Sequence, residues 1–174
     1  ILTGDLAQQF DAGTAVFNRI YVRKTGGSVT WNDGLTADYF ECTTTDDLAF
    51  TFQSGKTFTL TQMYLCGLAD EVAKLSLASS SPNDCWFLRA TTAHRVTGVT
   101  VADSDATGGA PVYTGAPSSG NDNTPGWNFG GTCTEWTGKS GDGKFATAGN
   151  WSDGVVPGPT SRVAIPCAEG GSVT

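Results

Sequence analysis

The chain has 174 residues, enough for one domain with a core of its own and too few for two complete ones. Ten Lys and Arg against seventeen Asp and Glu give a net charge of −7, which leaves no basic cluster to displace counterions from phosphates and excludes a nucleic-acid partner. No run of 18 apolar residues occurs, so no membrane span is expected.

The 23 Gly and 25 Thr describe pleated surfaces joined by tight corners. Taken in chain order, period-2 segments cover 15–22, 28–35, 48–52, 56–65, 74–78, 86–90, 95–101 and 162–165, each bounded by Gly, Asp, Asn or Ser. Their shortness predicts strands. The best helical spacing falls on 68–77, which reads equally as a strand preceded by a loop. Three corners share one form, a glycine turn followed by alternating Thr and apolar residues: Thr25-Gly26-Gly27-Ser28-Val29-Thr30, Gln53-Ser54-Gly55-Lys56-Thr57-Phe58-Thr59 and Glu169-Gly170-Gly171-Ser172-Val173-Thr174. Repeated corner-plus-strand units suit a stacked coil, because one coil cannot bury its apolar face without neighbours. A β-solenoid is therefore expected, and a two-sheet β-sandwich is the alternative that the same short strands allow.

Cys42, Cys66, Cys85, Cys133 and Cys167 form no CxxC pair, which argues against a zinc or thioredoxin-like site. In an acidic, Thr/Gly-rich chain of extracellular character they read as two disulfides plus one odd thiol, with buried free thiols as the alternative. Coils of about twenty residues would bring Cys42 near Cys66, or Cys66 near Cys85.

The chain begins in mid-strand at Ile1-Leu2-Thr3-Gly4-Asp5-Leu6 and stops in mid-strand at Ser172-Val173-Thr174. Joined end to start, these read GGSVTILTGDL, much like Gly55-Lys56-Thr57-Phe58-Thr59-Leu60-Thr61. The expectation is a processed product or a piece of something longer, one period of a head-to-tail array. Ile1, Leu2, Leu6, Val163, Ile165 and Val173 are then the candidate assembly interface, with identical copies as partners.

Other candidates are weaker. Asp103 and Asp105 could share a cation such as calcium, but the further ligands of a calcium loop are missing and a solvated acidic turn is the preferred reading; no other cofactor is expected. Asp46, Asp47 and Asp122 read as turn residues. His94, the single histidine, has no serine or cysteine partner in a recognisable motif, so no catalytic triad is expected. Trp31, Tyr39, Tyr64 and Trp86 suit either sugar stacking or the core. Asn150-Trp151-Ser152 is a formal N-glycosylation acceptor.

Two segments carry a family resemblance. Val96-Thr97-Gly98-Val99-Thr100-Val101-Ala102-Asp103-Ser104-Asp105-Ala106-Thr107-Gly108-Gly109, followed by Asn121-Asp122-Asn123-Thr124-Pro125-Gly126-Trp127-Asn128-Phe129, resembles the closing rungs of right-handed parallel β-helix modules in large bacterial surface proteins. Trp136-Thr137-Gly138, the stretch 142–159 and Val163-Ala164-Ile165-Pro166 resemble the opening of such modules, with Phe145 where Trp is usual and Thr160-Ser161-Arg162 in place of a Gly/Asp corner. The resemblance implies an all-β, right-handed parallel β-helix in which 1–131 form the body and end of one module and 132–174 the beginning of another. It also implies that Trp136 and Trp151 cap the open end of a coil. The function expected is a non-enzymatic structural subunit or tandem repeat of an extracellular or cell-surface filament, sheath or surface layer, assembling by strand continuation. A carbohydrate-binding or adhesive module with surface glycans as partners is the alternative, and a fragment of a glycan-active β-helix enzyme the second.

Overall fold

The structure is a computed structural model that describes residues 1–69, 72–91, 94–121, 123–129, 134–152, 154–158 and 163–164. The chain winds as a parallel β-solenoid. Its first coil holds β1 (Leu2–Gly4) and β2 (Gln8–Phe10), the second β3 (Val16–Lys24) and β4 (Gly27–Trp31), and the third β5 (Leu35–Thr44) and β6 (Leu48–Phe52). The fourth holds β7 (Thr57–Ala69), β8 (Val72–Ala73) and β9 (Leu75–Ser79), and the fifth β10 (Trp86–Ala90), β11 (His94–Thr97) and β12 (Val99–Ala102). After these come β13 (Ser104–Asp105), β14 (Val112–Gly115), β15 (Ser119–Asn121) and β16 (Trp127–Asn128). Beyond them β17 (Thr134–Glu135) pairs with β18 (Val163–Ala164), and a single 3-10 turn covers Ala148–Asn150.

Coil stacks on coil in parallel register. One wall runs Leu2, Val22, Cys42, Leu65, Val96, Thr114. Another runs Gln8, Val29, Phe50, Leu77, Val101, Gly120. A third is built from the first halves of the long strands, through Phe17, Ala37, Leu60 and Ala90. The strands β3, β5 and β7 thus cross two walls without a break. In β5 the bend is visible in the burial, since Ala37 and Phe40 both point inward with Asp38 and Tyr39 between them. In the fifth coil the same path is split into β10 and β11. Among the described residues the only antiparallel ladder is the short β7–β8 pair, so the sandwich alternative, which needs antiparallel sheets, is excluded.

Several sequence expectations shift in detail. Residues 68–77 form no helix: β7 runs to Ala69, turns back through β8 and enters β9. The segment 95–101 is two strands, because Gly98 takes φ +65 and turns the chain from one wall to the next. Of β5 only its first residue, Leu35, falls in a segment suggested by periodicity, and residues 36–44 continue the strand beyond it.

The interior is filled from each wall by alternate residues, including Val22, Val29, Phe50, Leu65, Leu77 and Val99. Along the axis runs an aromatic column. Phe10 packs on Trp31 at 5.1 Å between ring centroids, Trp31 stacks on Phe52 at 6.3 Å, and Phe52 stacks on Trp86 at 4.0 Å. Trp86 meets Trp127 at 6.5 Å, and Trp127 stacks on Phe129 at 5.9 Å. The column is continuous from the first coil to β16. Large aromatic side chains in offset or edge contact bury the most surface per residue, which suits a coil too narrow to hold several layers. At its far end the Trp127 indole N–H donates to the fully buried Ser104 hydroxyl at 2.9 Å.

Candidate functional site

The first coil stands at one end of the stack among the described residues. β1 and β2 lie at the ends of their sheets, so the outer edge of each has no strand partner among the described residues. Ile1 is 87% exposed, Leu6 77% and Val16 72%. Beneath them Leu2, Phe10 and Phe17 are half-buried against the core, so the aromatic column is uncovered at Phe10. The coil is nevertheless tightly fixed. Lys24, almost wholly buried, donates from Nζ to the Leu6 carbonyl at 2.6 Å. Gly27 has φ +78, and a Cβ there would stand 2.3 Å from the Asp5 carbonyl oxygen, so only glycine lets the second corner sit on the first. Ile1, Leu2 and Leu6 therefore share one end of the solenoid. Val163 is exposed in β18 and registers with Thr134, while Ile165 and Val173 lie outside the described residues.

A second feature occupies the outer face of one wall. Parallel register places Tyr21, Glu41, Tyr64 and Arg95 in one file, and Arg19, Tyr39 and Gln62 in the next. The Tyr21 and Tyr39 rings lie 5.7 Å apart. Arg19 lies over Tyr39 at 5.9 Å, Arg23 over Tyr21 at 5.2 Å, and Arg95 over Tyr64 at 5.3 Å. Arg23 also pairs with Glu41, whose other oxygen accepts from the Tyr39 hydroxyl at 2.5 Å. Burial, and then that hydrogen bond, push the Tyr39 phenol up to about 12. Tyr39, Gln62, Tyr64, His94 and Arg95 line a shallow open depression on this face. The backbone N–H of Tyr113 donates to His94 Nε2 at 3.3 Å, which gives the single histidine a structural bond to the next coil.

The four aromatics named from sequence divide. Trp31 and Trp86 are core residues, 1% and 2% exposed, whereas Tyr39 and Tyr64 stand on the outer wall. Period-2 alternation separates them only once the bend near Asp38 is known.

The cysteines do not form two bridges. Cys42 and Cys85 are free thiols, Cys66 is disulfide-bonded, and Cys133 and Cys167 lie outside the described residues. Cys42 registers with Leu65 and Thr43 with Cys66, so a one-residue offset turns Cys42 and Cys66 to opposite faces of the wall. Burial pushes the Cys42 thiol up to about 12. Burial also raises Cys85, and the charges of Asp105, Asp103 and Asp84 add to it.

Asp103 takes φ +49, and Asp105 accepts from the backbone N–H and the hydroxyl of Thr107 at 2.8 and 2.6 Å. Both are turn geometry, and no group of three or more acidic, Cys or His side chains converges on one point among the described residues. Asn150 is fully buried. Its Nδ2 donates to Asp142 at 2.6 Å and to the Lys144 carbonyl at 3.0 Å, and its Oδ1 accepts from Ser140 N–H at 2.8 Å. That amide is the knot of a local turn. Hydrogen bonds from Thr147, Lys144 and Asn150 hold the Asp142 carboxyl below its usual range. Trp136 and Trp151 pack on each other at 5.1 Å, and Phe145 packs on Trp151 at 4.6 Å, forming a small cluster around that knot. No helix among the described residues is long and apolar enough to cross a membrane.

Compared with known proteins, the chain matches no family model, no curated protein and no solved structure.

Proposed function

We propose that the protein is a non-enzymatic structural subunit or tandem repeat of an extracellular or cell-surface filament, sheath or surface layer, and that copies join by adding a coil to the first one. The observation that carries this is the uncovered end of the aromatic column at Phe10, ringed by Ile1, Leu6 and Val16 and bordered by the free edges of β1 and β2. A parallel strand laid on those edges satisfies their N–H and C=O groups, and its inward residues continue the core. Register follows from the alternation already used inside each chain. The resemblance of 96–109 with 121–129, and of 136–138, 142–159 and 163–166, to modules of bacterial surface proteins supports the same reading.

Sedimentation velocity over a concentration series tests it. The average mass is expected to rise with concentration, and Leu6→Lys combined with Val16→Lys, both at exposed positions, is expected to abolish the rise at unchanged thermal stability. A chain that stays monomeric throughout, or a variant that assembles as the parent does, would overturn the proposal.

A further inference from the structure

We propose that the tyrosine and arginine files on the outer wall bind an acidic, carboxylate-bearing polysaccharide laid along the solenoid axis. Charge is the first argument. The whole chain carries 17 acidic against 10 basic residues, yet this wall shows Arg19, Arg23 and Arg95 outward against Glu41, with Asp38 at the neighbouring bend. Three of the ten basic residues thus stand together on an acidic protein.

Chemistry is the second argument. Each of the three guanidinium groups lies 5.2–5.9 Å from the centre of a tyrosine ring, and the Arg23 fork already engages one carboxylate on this face, that of Glu41. A guanidinium fork suits a carboxylate, which it can engage through two parallel hydrogen bonds. The ring faces and edges beside it suit the apolar faces of pyranose rings, which stack on tyrosine.

Length is the third argument. Arg23 lies on β3 and Arg95 on β11, separated by the stacked strands β5 and β7, so the two ends of the face are three rungs apart, about 14 Å at 4.7–4.9 Å per rung. That span exceeds a single sugar and matches a short run of an extended chain. Tyr39, Tyr64 and Arg95 line the depression in the part of the face that runs from β5 to β11.

Affinity electrophoresis through gels containing polygalacturonate, with dextran gels as the neutral comparison, tests this. The protein is expected to be retarded by polygalacturonate and not by dextran, with the retardation falling as salt is raised. Arg95→Gln and Tyr64→Ser should each weaken binding at least fivefold, Tyr64→Phe should keep most of it, and Arg89→Gln on the neighbouring wall should change nothing. Far-ultraviolet circular dichroism checks that each variant keeps its fold, and the paired Tyr64→Phe and Tyr64→Ser variants separate loss of the ring from loss of structure. Equal retardation in both gels, no retardation in either, or full binding by both Arg95→Gln and Tyr64→Ser would overturn the proposal.

Discussion

At the scale of single residues, burial decides chemistry more than residue type does. Cys42 is wholly buried between Val22 and Leu65, and its thiol is pushed up to about 12 from an ordinary value of 9.0. The unfolded chain therefore loses this proton first as pH rises, so the thiol's contribution to stability is intact below pH 9.0 and declines between there and about 12. Unfolding free energy is expected to fall with pH in that window by about 1.4 kcal/mol per unit more than in Cys42→Ala. Urea titrations of both proteins at several pH values check this, and parallel curves would contradict it. Asn150 makes the same point from the other side. Its sequence context reads as a modification site, while its buried amide, bonded at three points, makes it the centre of a local turn. A motif states which atoms are present, and the hydrogen bonds around them decide which remain available.

At the scale of elements, the corners govern the stack. Glycine turns before Thr/apolar strands are visible in the sequence, and one of them, Gly26-Gly27-Ser28, opens β4 as expected. What makes it necessary is a contact between coils, the approach of Gly27 to the Asp5 carbonyl, which no local pattern contains. Gly27→Ala is expected to destabilise the protein by about 1–3 kcal/mol, from the left-handed backbone and the lost space together. Hydrogen exchange should show the loss concentrated in β1 and β2, and uniform loss of protection along the solenoid would contradict the assignment. The strands themselves were legible where alternation is unbroken, as in β6 and β10. They were illegible where a strand bends. In β5 the phase slips between Ala37 and Phe40, and in β7 between Leu60 and Met63, so period-2 counting loses the strand or assigns its faces wrongly. The helical spacing at 68–77 arises at the same kind of place, where β7 turns back through β8 before β9 begins.

At the scale of the whole molecule, the parallel stack follows from composition and repeat, but its period does not. Steps from coil to coil on one wall are 20 residues from Leu2 to Val22, 23 from Cys42 to Leu65 and 31 from Leu65 to Val96, because loops of different lengths leave a constant strand geometry. Such variation hides a repeat from sequence and leaves the aromatic column, with Trp31 above Phe10 and Phe52 above Trp31 in register, as its clearest trace. The outer files of Tyr and Arg were partly legible as exposed aromatics, yet the pairing of Arg19 with Tyr39 and Arg95 with Tyr64 depends on register between coils and had no signal in the linear chain. The same column, uncovered at Phe10, underlies the proposal that coils continue from one copy to the next. X-ray diffraction from aligned, concentrated protein addresses that proposal most directly. Strand continuation predicts filaments whose meridional reflection lies at about 4.7–4.9 Å, the spacing of strands stacked along the axis; separate particles one chain long at every concentration, with no such reflection, would contradict it.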